Sequence, residues 1–167
     1  VRLQRGVVDD DRQRHGGPQF ALKWTPVSLG PGEKLGPYEI LQPIGRGGMG
    51  EVYKARDTRL DRTVAIKLSK EEFSERFERE ARAVAALNHP NICTLFDVGP
   101  NYLVMEFVEG VPLDALVARA APLPVAVACE LIRQAALGLE HAHAKGLVHR
   151  DISPHNIFVI PAITENA

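Results

Sequence analysis

At 167 residues the chain suits one domain, or one and part of another, and 45% apolar with 25% charged residues is the balance of an ordinary soluble globular protein. A formal net charge of -1 offers no overall field that would draw it to nucleic acid or to an anionic membrane. No apolar run approaches the ~18 residues of a membrane span, the N-terminal residues lack the apolar stretch of a signal peptide, and Cys93 and Cys129, without a C-x-x-C pattern, fit buried free thiols in a reducing, cytoplasmic compartment.

Residues 1–34 are charged, glycine-bearing and aperiodic, which predicts a flexible leader. From Tyr38 the pattern sharpens. YEILQPI (38–44) reads as a strand, GRGGMG (45–50) as a glycine turn, EVYKARD (51–57) as a second strand and TVAIKL (63–68) as a third, together an antiparallel meander. Ser69-x-x-Glu72 has the spacing of a capping box and announces a helix. Phe73, Phe77, Val84 and Leu87 form its apolar stripe, with one gap filled by Glu80. A carboxylate inside an apolar stripe is costly to bury unless a cation meets it. The helix stops at Asn88-His89-Pro90. CTLFDV (93–98) and YLVMEFV (102–108) make a hairpin around Gly99-Pro100-Asn101. Helices are expected over 113–120 and 125–144, the second closed by Lys145-Gly146. HRDISPHN (149–156) is a loop, and IFVI (157–160) a short strand.

Gly45-x-Gly47-x-x-Gly50-x-Val52 is a pattern that lets backbone N–H groups approach a polyphosphate. A dinucleotide fold carries similar glycines but needs a helix next; here residues 51–55 read as a strand. In Val64-Ala65-Ile66-Lys67 the alternation puts Val64, Ile66 and Leu68 on one face, suited to burial, and Ala65 with Lys67 on the other. Ala65 leaves room for a flat base, and Lys67 can reach its phosphates. Lys67 and Glu80 explain each other as an ion pair. His141 and His143 do not share a helix face, and Ser153 beside His149 and Asp151 is no triad.

These pieces, IGRGGMGEV, VAIK, the glutamate of FEREA, HPNI, YLVMEFVEG and HRDISPHN, occur in one order over about residues 35–160. The chain thereby resembles the protein kinase family, in particular bacterial serine/threonine kinases of the eukaryotic-like type. The resemblance implies an α+β fold: a five-stranded antiparallel sheet plus one helix in a small lobe with its hinge over 35–110, then part of a mainly helical lobe over 111–167. It implies ATP and Mg²⁺ as cofactors and a protein bearing serine or threonine as substrate. Ile44, Gly45, Arg46, Gly47, Gly48, Met49, Gly50 and Glu51 would form the glycine loop over the phosphates, and Val52 and Ala65 would enclose adenine. Lys67 would hold the phosphates and be fixed by Glu80. Met105 resembles the gatekeeper, and the backbone of Glu106 and Val108 the adenine-binding hinge. Asp151 would accept the proton of the substrate hydroxyl, Asn156 would hold magnesium, and His149 and Arg150 would be structural.

Two departures stand out. Ser153 occupies a position where most such kinases carry lysine. The magnesium-binding Asp-Phe-Gly of the family does not occur in the chain, so the sequence reads as a kinase domain truncated at its C-terminal side. The long helix is then expected to lack partners and to expose Leu131, Ile132 and Leu139. An ATP-binding or regulatory module without transfer activity, and a non-functional fragment, remain open beside the enzyme.

Overall fold

The computed structural model describes residues 2–3, 29–47, 50–70, 73–120 and 122–160, with the backbone alone at 2–3, Gly47 and Ala120. In chain order come β1 (Arg2–Leu3), β2 (Lys34–Leu35), β3 (Tyr38–Gly47), β4 (Gly50–Asp57), β5 (Arg62–Leu68) and α1 (Glu75–Ala85). There follow β6 (Leu95–Val98), β7 (Tyr102–Glu106), β8 (Val111–Pro112), α2 (Leu113–Ala120), α3 (Val125–Ala144), a 3-10 turn (Pro154–Asn156) and β9 (Ile157–Val159).

The larger sheet has the order β2-β3-β4-β5-β7-β6, and every pairing is antiparallel. Its five longer strands are those the resemblance implies, with the two-residue β2 added at one edge. β-branched and aromatic residues at every second position build it. Tyr38, Ile40, Tyr53, Ala55, Val64, Ile66 and Val104 form one fully buried cluster. The opposite face carries Ala65, Leu95, Leu103 and Met105, packed against Phe77, Ala81 and Val84 of α1. Pro43 lies where the β3–β4 register shifts, as a residue without an N–H must. A second, small sheet, β1-β9-β8, lies beside α2 and α3, whose core is Leu113, Leu131, Ala135 and Ile157.

The chain joins these parts through the α1–β6 connection. Asn91 Nδ2 donates to Gln134 Oε1 at 3.3 Å, and the rings of His89 and His141 lie 5.2 Å apart.

Several expectations need adjustment. The N-cap of α1 is Ser74, whose hydroxyl accepts from the Phe77 N–H at 3.3 Å, and not Ser69. Phe73 packs on Phe77 with ring centroids 4.1 Å apart, which fixes the entry of the chain one turn later; Glu72 lies outside the described residues. The apolar stripe runs through Ala81, not position 80. Glu80 therefore sits at the edge of the stripe, its side chain 39% exposed, and needs no buried cation. Most of the leader, residues 4–28, lies outside the described residues. Near its end, Leu29 packs on the buried cluster, and the Leu29 N–H donates to the Tyr53 hydroxyl at 3.0 Å. Leu131 is buried and Leu139 packs beside it, whereas Ile132 is 58% exposed. Cys129 is exposed and Cys93 half-buried, both as free thiols. No described helix is long and apolar enough to cross a membrane.

At the far end of the sheet Asp57 is fully buried. Its carboxylate accepts from Arg59 N at 3.1 Å and Arg59 Nε at 3.3 Å, and Arg62 Nε lies 3.6 Å away. Arg59 also donates to the Tyr38 hydroxyl, which donates to Asp97. Burial pushes the Asp57 carboxyl up, but the Arg59 hydrogen bonds and the charges of Arg59 and Arg62 outweigh it and hold it below the usual carboxylate range. A depressed folded-state pKa stabilises above the unfolded pKa and stops doing so as pH falls through the folded one. Asp57→Asn should thus cost about 1–3 kcal/mol at neutral pH, and its deficit against the parent should shrink below about pH 4. Thermal melts of both proteins across pH check this; a pH-independent deficit would contradict it.

Candidate functional site

The cleft wall is the face of the sheet opposite the buried cluster. Pairing across strands sets Val52 opposite Lys67, Lys54 opposite Ala65, and Ala65 opposite Met105. Val52, Ala65 and Lys67 are therefore neighbours on one surface, as alternation requires. Ala65 is 5% exposed and Met105 6%.

Above them β3 and β4 meet in a tight hairpin. It is shorter than the turn read from sequence: β3 continues through Gly45 and Arg46 to Gly47, and β4 starts at Gly50. Gly48 and Met49 lie outside the described residues. Gly50 must be glycine: its φ is +133°, and a Cβ there would sit 2.0 Å from the Leu68 carbonyl oxygen. Gly45 has no such constraint, since a Cβ would meet Val52 at an ordinary 3.7 Å. Ile44 is exposed on β3. Arg46 reaches across the hairpin to Glu51 at 2.8 Å, and the Tyr53 hydroxyl donates to the same carboxylate.

Across the cleft, the loop after α3 carries Asp151. Its geometry is set by its neighbours. Arg150 holds a left-handed φ of 61°, a conformation that a non-glycine residue adopts only when its surroundings impose it. The Asp151 N–H donates to His149 Nδ1 at 3.3 Å. Asn156 Nδ2 donates to both the backbone oxygen (3.1 Å) and Oδ2 (3.0 Å) of Asp151, and the Asn156 N–H closes the turn on the Ser153 carbonyl. Asn156 thus orients the acid, and its amide oxygen remains as an acceptor.

Lys67 lies within electrostatic reach of this acid. Burial pushes the Lys67 ammonium below the ordinary lysine range, and the Asp151 carboxylate opposes that. The predicted Lys67–Glu80 pair is not formed in this structure. Glu80 instead meets Arg76, one turn earlier on α1, at 3.3 Å. The reason is geometric: α1 docks through Ala81, which turns position 80 toward its own helix surface, where an i,i+4 arginine waits.

Glu106 begins the segment that leaves β7. Its N–H donates to the Thr94 carbonyl at 2.9 Å, and its own carbonyl accepts from the Cys93 thiol at 3.6 Å. The Val108 carbonyl accepts from Gly110 N–H. Next to this segment lies a residue that the sequence patterns did not single out: Lys54 Nζ stands 4.4 Å from the centroid of the Phe107 ring. The signal was available, because Lys54 is two positions after Val52 and so shares its face.

The arrangement combines a glycine hairpin, a half-buried cation, a carboxylate within its electrostatic reach and a neighbouring amide oxygen. Such a set suits a polyphosphate and a hydroxyl whose proton must be taken. Among the described residues no group of three or more His, Cys, Asp or Glu side chains could hold a metal ion alone. A carboxylate and an amide oxygen do fit magnesium, which usually takes one or two protein carboxylates and completes its shell with substrate phosphates and water.

Comparison with known proteins agrees with this geometry. A family model described as the protein kinase domain matches residues 38–163. A probable serine/threonine-protein kinase of Clostridium perfringens is 45% identical over 132 residues, covering 73% of this chain and 19% of that protein. The serine/threonine-protein kinase PknA of Mycobacterium tuberculosis is 43% identical over 141 residues, 75% of this chain and 33% of its own length. The chain thus spans between a fifth and a third of these relatives. The crystal structure of the Mycobacterium tuberculosis PknI kinase domain superposes with a TM-score of 0.74 at 29% identity, covering 81% of this chain and 60% of that one.

If the Lys67 ammonium senses the Asp151 carboxylate across the cleft, removing the carboxylate charge lowers the Lys67 pKa further. Asp151→Asn should therefore shift the midpoint of Lys67 acylation to lower pH, read by mass spectrometry after pulse labelling. An unmoved or raised midpoint would contradict this electrostatic reach.

Proposed function

The chain belongs to the protein kinase family, and on that premise we propose that it binds MgATP in this cleft and transfers the γ-phosphoryl group to a serine or threonine hydroxyl of a protein. The observation that carries the reading is the placing of Val52, Ala65 and the half-buried Lys67 on one sheet face beside the Gly50 hairpin, with the Asn156-oriented Asp151 within electrostatic reach of Lys67.

Each residue then has a role its position supports. Val52 and Ala65 enclose adenine beside Met105, with the Glu106 carbonyl and the Val108 N–H at its polar edge. The hairpin of Ile44 to Glu51, tight because Gly50 permits it, covers the phosphates. Lys67 meets the α- and β-phosphates, a charge-assisted contact in a partly desolvated site. The substrate oxygen attacks the γ-phosphorus, the bond to the β–γ bridging oxygen breaks, ADP departs, and the hydroxyl proton passes to Asp151. Asn156 would hold magnesium through its amide oxygen; that ion, when bound, neutralises phosphate charge. Ser153 brings no charge of its own, so Lys67 and the metal would supply charge near the transferred group.

Glu80 would join the same scheme as the partner of Lys67 once a polyphosphate fills the cleft. An exposed i,i+4 pair such as Arg76–Glu80 contributes only about 0.3–0.5 kcal/mol. The free thiols of Cys93 and Cys129 favour a reducing, cytoplasmic setting.

Two substitutions test the assignment on the 167-residue chain. Lys67→Met should weaken MgATP binding by about tenfold or more, the worth of a charge-assisted hydrogen bond. Asp151→Asn should bind MgATP within about twofold of the parent yet transfer no labelled phosphoryl group to a serine- and threonine-containing protein. Unchanged affinity in the first would overturn the phosphate-binding role of Lys67, and retained transfer in the second would overturn the proton-accepting role of Asp151.

A further inference from the structure

We propose that Lys54 and Phe107 form a strap that presets the base end of the cleft, making Lys54 a nucleotide-positioning residue; the inference rests on the nucleotide-binding reading above. Lys54 is the β4 neighbour of Ala65, and Met105 is the β7 neighbour of Ala65 on the other side. The three side chains form one row across the cleft face. Adjacent strands lie about 4.8 Å apart; Lys54 pairs with Ala65 on one side of β5, and Phe107 follows β7 on the other side, one row beyond Met105, at the level of Thr63. They nevertheless meet: the Lys54 ammonium stands 4.4 Å from the Phe107 centroid, within cation–π range.

The contact therefore crosses β5 diagonally, between the levels of Ala65 and Thr63, on the side away from Lys67. Phe107 also packs against the cluster that holds Ala65 and Met105, and both side chains are half-buried. The strap thus links β4, which carries the glycine hairpin, to the segment leaving β7, whose backbone would read the base edge. It fixes the separation of the two before any ligand arrives. A slot held at its binding width avoids the loss in apparent affinity suffered when only part of the population is competent. Lys67 sits one row away, toward the phosphate end. The cleft face accordingly carries two lysines with different tasks: one for charge, one for spacing.

Binding of adenosine, ADP and ATP to the 167-residue chain separates these tasks. Lys54→Met keeps the stem and removes the cation; it should weaken all three ligands alike, by about three- to tenfold. Lys54→Arg, which retains the cation–π partner, should stay within about twofold of the parent. Phe107→Leu should match Lys54→Met, and the double variant should be no worse than either. Lys67→Met, in contrast, should leave adenosine alone and lose more with each phosphate. Parent-like affinity in Lys54→Met, a loss confined to ADP and ATP, or additive losses in the double variant would overturn the strap. Lack of adenosine and ATP binding by the parent itself would instead overturn the nucleotide reading and the strap with it.

Discussion

Everything in the cleft depends on the two-faced character of the sheet. Tyr38, Ile40, Tyr53, Val64, Ile66 and Val104 are all under 2% exposed on one face. At about 1.5–3 kcal/mol for each large apolar side chain, an upper estimate, turning them outward would cost on the order of 10 kcal/mol. That matches the whole stability of a typical domain. A slip of one residue in the register of β4 or β5 would do just that. The apolar face thus dictates, without touching any ligand, that Val52, Lys54, Ala65 and Lys67 look into the cleft.

A second contrast lies between what the core fixes and what surface contacts merely bias. The Asp57 carboxylate, buried among arginines, is locked into the end of the sheet. The Arg76–Glu80 pair on α1 is exposed and by itself weaker than RT. The sheet is set by its core and the Asp151 loop by the Asn156 hydrogen bonds, whereas the Arg76–Glu80 pair is a surface contact. The same comparison places the strap between the extremes, since a cation–π contact at a half-buried site exceeds a surface ion pair but not a core residue.

Much of this was legible in the sequence because strand alternation and long helical periods leave strong marks. The face shared by Ala65 and Lys67, the helices over 113–120 and 125–144, and the hairpin around Gly99 are all found where the pattern put them. Other features resist reading for physical reasons. A period of 3.6 residues does not separate position 80 from position 81 as the bearer of a stripe, so Glu80 read as buried. Ser69 and Ser74 both precede acidic residues, and only the packing of Phe73 on Phe77 decides between them. The anchoring of Leu29 by the Tyr53 hydroxyl is a long-range event that no local pattern announces. Lys54 was the reverse: its face was readable, but its partner Phe107 comes from the segment after β7, far along the chain.

The most direct test of the central claim asks whether Lys67 is the amine at the phosphate end of a nucleotide cleft. An adenosine bearing a sulfonyl fluoride in place of its phosphates should modify one lysine, and peptide mapping should find it at Lys67, with excess ATP protecting it. Modification at other lysines with Lys67 untouched, or labelling of Lys67 that ATP does not suppress, would contradict the account.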